Sequence, residues 1–228
     1  MTSVAKIQAR TQSKFQAVLF DCDGVLVDSE AMTNQVICDT LNTYGASIDL
    51  ASTMQQFLGR SLRENAPLVA SLIGKPAPES FFTDFLRDRD AALAARVQAI
   101  AGVEDVLKAL VAANIPFAVA SGADVHKMGI TLGRTGLLKY FQGRMFGSDH
   151  VTHSKPDPAV YLYAAKALGV DPAQCAVVED TPTGTRAGLA AGATVFGYAE
   201  HNDANALLAA GAAAVIRDMR YLPALLGL

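Results

Sequence analysis

Three short stretches of the chain are unbroken apolar runs that stop abruptly at polar residues. Ala17–Phe20 ends at Asp21, Phe117–Ala120 ends at Ser121-Gly122, and Ala176–Val178 ends at Glu179-Asp180. A continuous run of this length, bounded by turn residues, fits a strand buried on both faces, as in a parallel sheet. Met145–Gly147, Thr194–Tyr198 and Ala213–Ile216 read as further strands. Between them the apolar spacing switches to the helical period over 103–113, 124–132, 158–168 and 183–191. Pro158 suits a first helical position with Asp157 as cap, and Gly169 and Gly192 suit helix ends. Strands alternating with helices predict an α/β fold with a Rossmann-like parallel sheet flanked by helices.

Residues 30–98 break this alternation. Met32, Val36, Ile37, Leu41 and Tyr44 recur at helical spacing up to Gly45, with Asp28 or Ser29 as the expected cap. A short helix is predicted from Ser52 to about Leu58. A capping box at Ser61 and Glu64 predicts the next, to Ile73, with Pro67 kinking or shortening it. After the loop Gly74–Pro78, a long helix rich in Ala, Leu and paired charges runs over 79–97. No strand is expected in this segment. The predicted organisation is an N-terminal extension over 1–14, a core built from 15–29 and 99–228, and an inserted helical module over 30–98.

Composition excludes some partners. Of 228 residues, 51% are hydrophobic and 18% charged, which is ample for a core. A net charge of -3 without a clustered basic run argues against nucleic acid. No apolar stretch approaches the roughly 18 residues of a membrane span, so no membrane association is expected. The first fourteen residues lack the apolar segment of a secretory signal. Cys22, Cys38 and Cys175 are scattered and unpaired in pattern, which suits a reducing cytoplasm. Cys22, between two aspartates, should face away from them and serve as a packing residue.

Parallel strands bring their carboxyl ends to one sheet edge. That edge would gather Asp21, Asp23, Ser121, Gly122, Glu179 and Asp180, with Lys155 from the loop Ser154-Lys155-Pro156-Asp157-Pro158. Taken alone, Asp21-x-Asp23-Gly24 reads equally as an ordinary turn. Together, the crowded carboxylates resist ionising unless a hard divalent cation such as Mg²⁺ joins them. Lys155 and the Ser121 hydroxyl suit a phosphoryl group, and an aspartate can accept one covalently.

The ordered segments DCDGVLVDSE, VASG, KPDP and VVEDTPTG resemble the four motifs of the haloacid-dehalogenase-like (HAD) hydrolase superfamily, specifically its phosphatase and β-phosphoglucomutase branch with a helical cap after the first motif. The resemblance extends from about Phe15 to the C-terminus. It implies that Asp21 is the nucleophile and Asp23 the general acid and base. Ser121 and the Gly122 backbone would bind phosphate, and Lys155 would neutralise charge. Asp180, Asp21 and the Asp23 carbonyl would hold Mg²⁺, with Glu179 a ligand or a supporting neighbour. The cap candidates are Arg60, Arg63 and Lys75, each equally explained by a solvated helix face. Asp23 argues against a dehalogenase, whose relatives lack this acid. Thr33 stands where phosphomutase relatives carry a histidine, and Lys75 lies in a Pro-rich loop unlike a Schiff-base lysine. His126, His150 and His153 fall outside the motifs and are expected at the surface. These features favour a phosphatase of small organic phosphates, such as sugar or sugar-acid phosphates, over a sugar phosphomutase. A phosphate-binding module without turnover is the third reading.

Overall fold

The computed structural model describes residues 13–57, 62–63, 65–200 and 202–228. Its centre is a six-stranded parallel sheet in the order β5-β4-β1-β6-β7-β8. The strands are β1 (Ala17–Phe20), β4 (Phe117–Ala120), β5 (Met145–Phe146), β6 (Cys175–Glu179), β7 (Thr194–Tyr198) and β8 (Ala214–Ile216). The apolar runs therefore mark the strands, because a strand covered on both faces has no solvent side to carry polar residues. Alternate side chains separate into two layers. Val18, Phe20 and Val119 pack on one face, and Ala17, Leu19 and Val177 on the other. Cys22 joins the first layer, away from solvent, with its Sγ 3.8 Å from Thr131 Oγ1.

Helices α5 (Val103–Ala112), α6 (Val125–Arg134), α7 (Leu138–Phe141), α8 (Ala159–Leu168), α9 (Pro182–Ala190), α10 (Ala204–Ala209) and α11 (Leu222–Leu226) flank the sheet or connect its strands. Asp157 Oδ1 accepts from the Ala159 amide at the start of α8, although Pro158, expected as the first helical residue, occupies the cap position and the helix begins at Ala159. The short α7, α10 and α11 have too few turns to leave a periodic signature, and none is evident from the sequence pattern.

The segment after β1 holds α1 (Glu30–Thr43), α2 (Leu50–Phe57), α3 (Ala66–Ile73) and α4 (Glu79–Arg96). These helices share their own apolar cluster, including Val36, Leu41, Phe57, Val69, Phe81 and Phe85. Of three local expectations one is met, one lies outside the described residues and one changes. Pro67 sits in the first turn of α3, where its missing N–H costs nothing; the helix is shortened to start at Ala66 and is not kinked, one of the two outcomes expected of that proline. The proposed cap pair Ser61 and Glu64 lies outside the described residues. A strand does occur at the end of the segment: β3 (Gln98–Ala99) pairs antiparallel with β2 (Val27–Asp28). Two residues per strand are too few for alternation to show. This ribbon joins both chain crossings between the helical region and the sheet. No helix among the described residues is long and apolar enough to cross a membrane.

Candidate active site

β1 lies between β4 and β6 in register, so the three polar strand ends are neighbours. Asp21 continues β1, and its amide donates to the Val178 carbonyl at 3.0 Å. Gly24 then turns the chain at φ 76°, and Asp23 faces the same opening. That opening is a cleft of about 620 Å³ between the sheet edge and the helical region. Asp21, Asp23, Ser121, Gly122, Lys155, Glu179 and Asp180 all line it.

The two acids of the first loop have different environments. Asp21 is buried, and Lys155 Nζ donates to its Oδ1 at 2.6 Å. Burial pushes the Asp21 carboxyl up to about 6; Lys155 opposes this, while the charges of Glu179 and Asp23 add to it. Burial also acts against ionisation of Asp23. There the Lys127 ammonium and the Ser29 hydroxyl outweigh it and hold the carboxyl below its ordinary range. Lys127 Nζ donates to Asp23 Oδ2 at 2.7 Å, and Ser29 Oγ donates to Oδ1. Ser29 occupies the cap position of α1, yet its hydroxyl makes no cap bond and serves Asp23 instead.

Glu179 is enclosed by donors. Lys155 Nζ (2.6 Å) and the Tyr161 hydroxyl (2.7 Å) reach Oε1. The amides of Asp180 (3.1 Å) and Thr181 (3.2 Å), with the Thr181 hydroxyl (3.1 Å), reach Oε2. These five donors leave little lone-pair capacity for anything else. Although burial acts against its ionised form, Lys155 and the remaining donors keep Glu179 below its usual range. Lys155, between Asp21 and Glu179, is held well above its usual range despite burial that favours the neutral amine.

Asp180 is the opposite case. Asn202 Nδ2 donates to Oδ2 at 3.0 Å. Burial, followed by the charges of Glu179, Asp21 and Glu30, drives its carboxyl well above the normal range. Ligand atoms of Asp21, Glu179 and Asp180 lie within 4.8 Å of one another. Crowded carboxylates that burial disfavours, presented as hard oxygen donors, fit a divalent cation. Glu179 is taken up by five protein donors, whereas Asp21 accepts from Lys155 on one oxygen and Asp180 from Asn202 on one oxygen.

The remaining wall comes from the helical region. Arg63 and Arg89 line the cleft together with Phe57, Leu62, Phe82 and Phe85. Arg89 is buried; its Nε and Nη2 donate to Asp90 Oδ1 at 2.9 and 2.7 Å. Asp90 Oδ2 in turn lies 3.0 Å from His126 Nε2 on α6. Lys75 is exposed and away from the cleft. Arg60 lies outside the described residues. His126 and His153 are exposed and His150 is partly buried, its Nδ1 accepting from the Gly147 amide. Arg89, Lys127, Tyr161 and Asn202 carry no motif signal and reach the site through packing of distant segments. Ser29 lies inside the first motif, where the sequence pattern predicts only a helix cap.

The model of the haloacid dehalogenase-like hydrolase family matches residues 15–192, most of the chain. The chain belongs to that family. Among its HAD relatives, the 6-phosphogluconate phosphatase of Escherichia coli is 32% identical over 185 residues, spanning 81% of this chain and 82% of that protein. A "phosphorylated carbohydrates phosphatase" of Thermotoga maritima is 30% identical over 91% of this chain and 96% of its own length. The crystal structure of a HAD family hydrolase from Deinococcus radiodurans R1, with bound phosphate and sodium, superposes with a TM-score of 0.77 at 35% identity. It covers 93% of this chain and 96% of that one.

Proposed function

We propose that this HAD enzyme is a Mg²⁺-dependent phosphatase of small phosphomonoesters, of the sugar phosphate or sugar-acid phosphate class, acting through an aspartyl-phosphate. The observation that carries the reading is the division between the two acids of the first loop. Asp21 is buried against Lys155 and the acidic cluster, whereas Asp23 is held separately by Lys127 and Ser29.

In this reading Asp21 attacks phosphorus in line; Asp23, held ionised in the free protein, takes up the proton that the monoanionic ester brings and passes it to the departing alkoxide oxygen. Asp23, now a carboxylate, takes a proton from a water that attacks the same phosphorus, releasing phosphate and restoring Asp21. Lys155 and Ser121 meet the charge on the phosphoryl oxygens. Glu179 is assigned to fixing Lys155 and the start of α9. Asp21, Asp180 and the Asp23 carbonyl would hold the Mg²⁺, which supplies charge neutralisation for the phosphoryl group. The helical region over 30–98 acts as a cap whose residues select the ester, and Arg63 and Arg89 favour a substrate with a second anionic group. The names of the two phosphatase relatives agree with that class. Three buried free cysteines suit a reducing cytoplasm.

The test is phosphate release from a panel of sugar and sugar-acid phosphates with Mg²⁺ and with chelator. Turnover should require the metal. Asp21→Asn should lower kcat by at least about 10³-fold with the fold intact by circular dichroism. Normal activity of that variant would overturn the covalent mechanism. Conversion of β-glucose 1-phosphate to glucose 6-phosphate faster than phosphate release, with a bisphosphate primer, would instead establish a phosphomutase.

A further inference from the structure

Lys127 is a largely enclosed cation whose bond to Asp23 supports the reading above but to which that mechanism gives no step. Its side chain is only 12% exposed, at the first turn of α6. Asp124 caps this turn, its Oδ1 accepting from the Lys127 amide at 2.7 Å. The backbone that carries Lys127 is therefore fixed just after the Ser121-Gly122 loop. From there Nζ spans to Asp23 Oδ2 at 2.7 Å, 104 residues away in sequence. The other carboxylate oxygen is taken by Ser29. One donor on each oxygen fixes the plane of the carboxylate, while each oxygen keeps a lone pair for a further partner.

We propose that Lys127 is a positioning residue for Asp23, holding its carboxylate where it can take the proton of the attacking water. The inference rests on the phosphatase reading. Ser29 alone would leave the carboxylate free to swing about one hydrogen bond. The second donor comes from a different element and removes that freedom, and a base must lie within hydrogen-bond reach of the proton it abstracts. The effect belongs to one half-reaction. Breakdown of the aspartyl-phosphate breaks its P–O bond, forms a new one from water, and passes the water proton to Asp23. Formation of the aspartyl-phosphate from an ester with a good leaving group needs no proton from Asp23, because the departing anion is stable in water.

Rapid-mixing kinetics with 4-nitrophenyl phosphate and Mg²⁺ separate the two steps. Lys127→Met should lower steady-state kcat by about tenfold or more. It should retain a first-turnover burst of nitrophenolate near one per active site, with phosphoenzyme accumulating. Lys127→Arg, which keeps a charged donor, should recover part of kcat. In an Asp23→Asn background, Lys127→Met should have no further effect. A merely structural role would shrink burst and steady state together, and that result overturns the proposal. So would a raised KM at unchanged kcat, which would make Lys127 a substrate ligand, or an unchanged variant. Lys127→Leu, which also removes the donor, provides the same readout if the methionine variant does not fold. Absence of phosphate release by the wild-type protein from every ester tested would overturn the phosphatase reading itself, and this inference with it.

Discussion

At the scale of single residues, the site is a set of carboxylates treated differently by their neighbours. Burial pushes the Asp21 carboxyl up to about 6, outweighing the pull of Lys155. In the unfolded chain an aspartate returns to about 3.9. Between those values the folded protein binds the extra proton, so the contribution of Asp21 to stability falls as pH rises from about 4 to about 6. Asp23 has the reverse sign: its lowered value contributes stability above the unfolded pKa, lost as pH falls. Urea unfolding in chelator should therefore show Asp21→Asn gaining on the wild type as pH rises through that window, by about 3 kcal/mol at most. Parallel curves across the window would show that burial does not govern this carboxyl. The acids themselves are legible in the sequence because each ends a buried run. Their partners are not. Lys127 reads as an ordinary helical lysine until α6 is placed beside the loop after β1.

At the scale of elements, two glycines show how closely the backbone is fitted to the acids. A Cβ on Gly24 would lie 2.1 Å from Asp180 Oδ2, at a φ that side chains rarely adopt. A Cβ on Gly184, in the first turn of α9, would lie 1.8 Å from Glu179 Oε1. α9 can thus pack onto the end of β6 only with no side chain at that point. Gly184→Ala should cost about 1–3 kcal/mol in chemical denaturation and lower kcat, since Glu179 must move and Lys155 is bonded to it. Gly133→Ala on α6 is the control. No atom lies within 4 Å of its added Cβ, so it should be neutral or stabilise by up to about 1 kcal/mol. Equal losses in the two variants would mean that crowding against Glu179 is not the cause. The elements that set these contacts were readable where apolar runs or helix periods were long, as in β1, β4, β7 and α1. The β2–β3 ribbon and the short α7, α10 and α11 were not, since two to six residues hold no period.

At the scale of the whole molecule, the helical region keeps its apolar cluster separate from those of the sheet. The cleft is formed where this region meets the strand ends. Under the proposed function the sheet edge, with its carboxylates, Ser121 and Lys155, would deal with the phosphoryl group. Arg63, Arg89 and the aromatic wall of the helical region would meet whatever that group is attached to. Arg89 is steadied by Asp90, which also reaches His126 on α6, so its position depends on how α4 rests on the core. Chemistry and selection should therefore separate under mutation. Arg89→Gln should raise KM for 6-phosphogluconate by about tenfold or more, the loss of one charge-assisted bond. It should leave kcat for 4-nitrophenyl phosphate, which lacks a second anionic group, within about twofold. A comparable loss of kcat on both esters would place Arg89 with the reacting groups and against a role in selection. A KM unchanged for the sugar acid would remove the second-anion argument and leave the apolar wall to choose the ester.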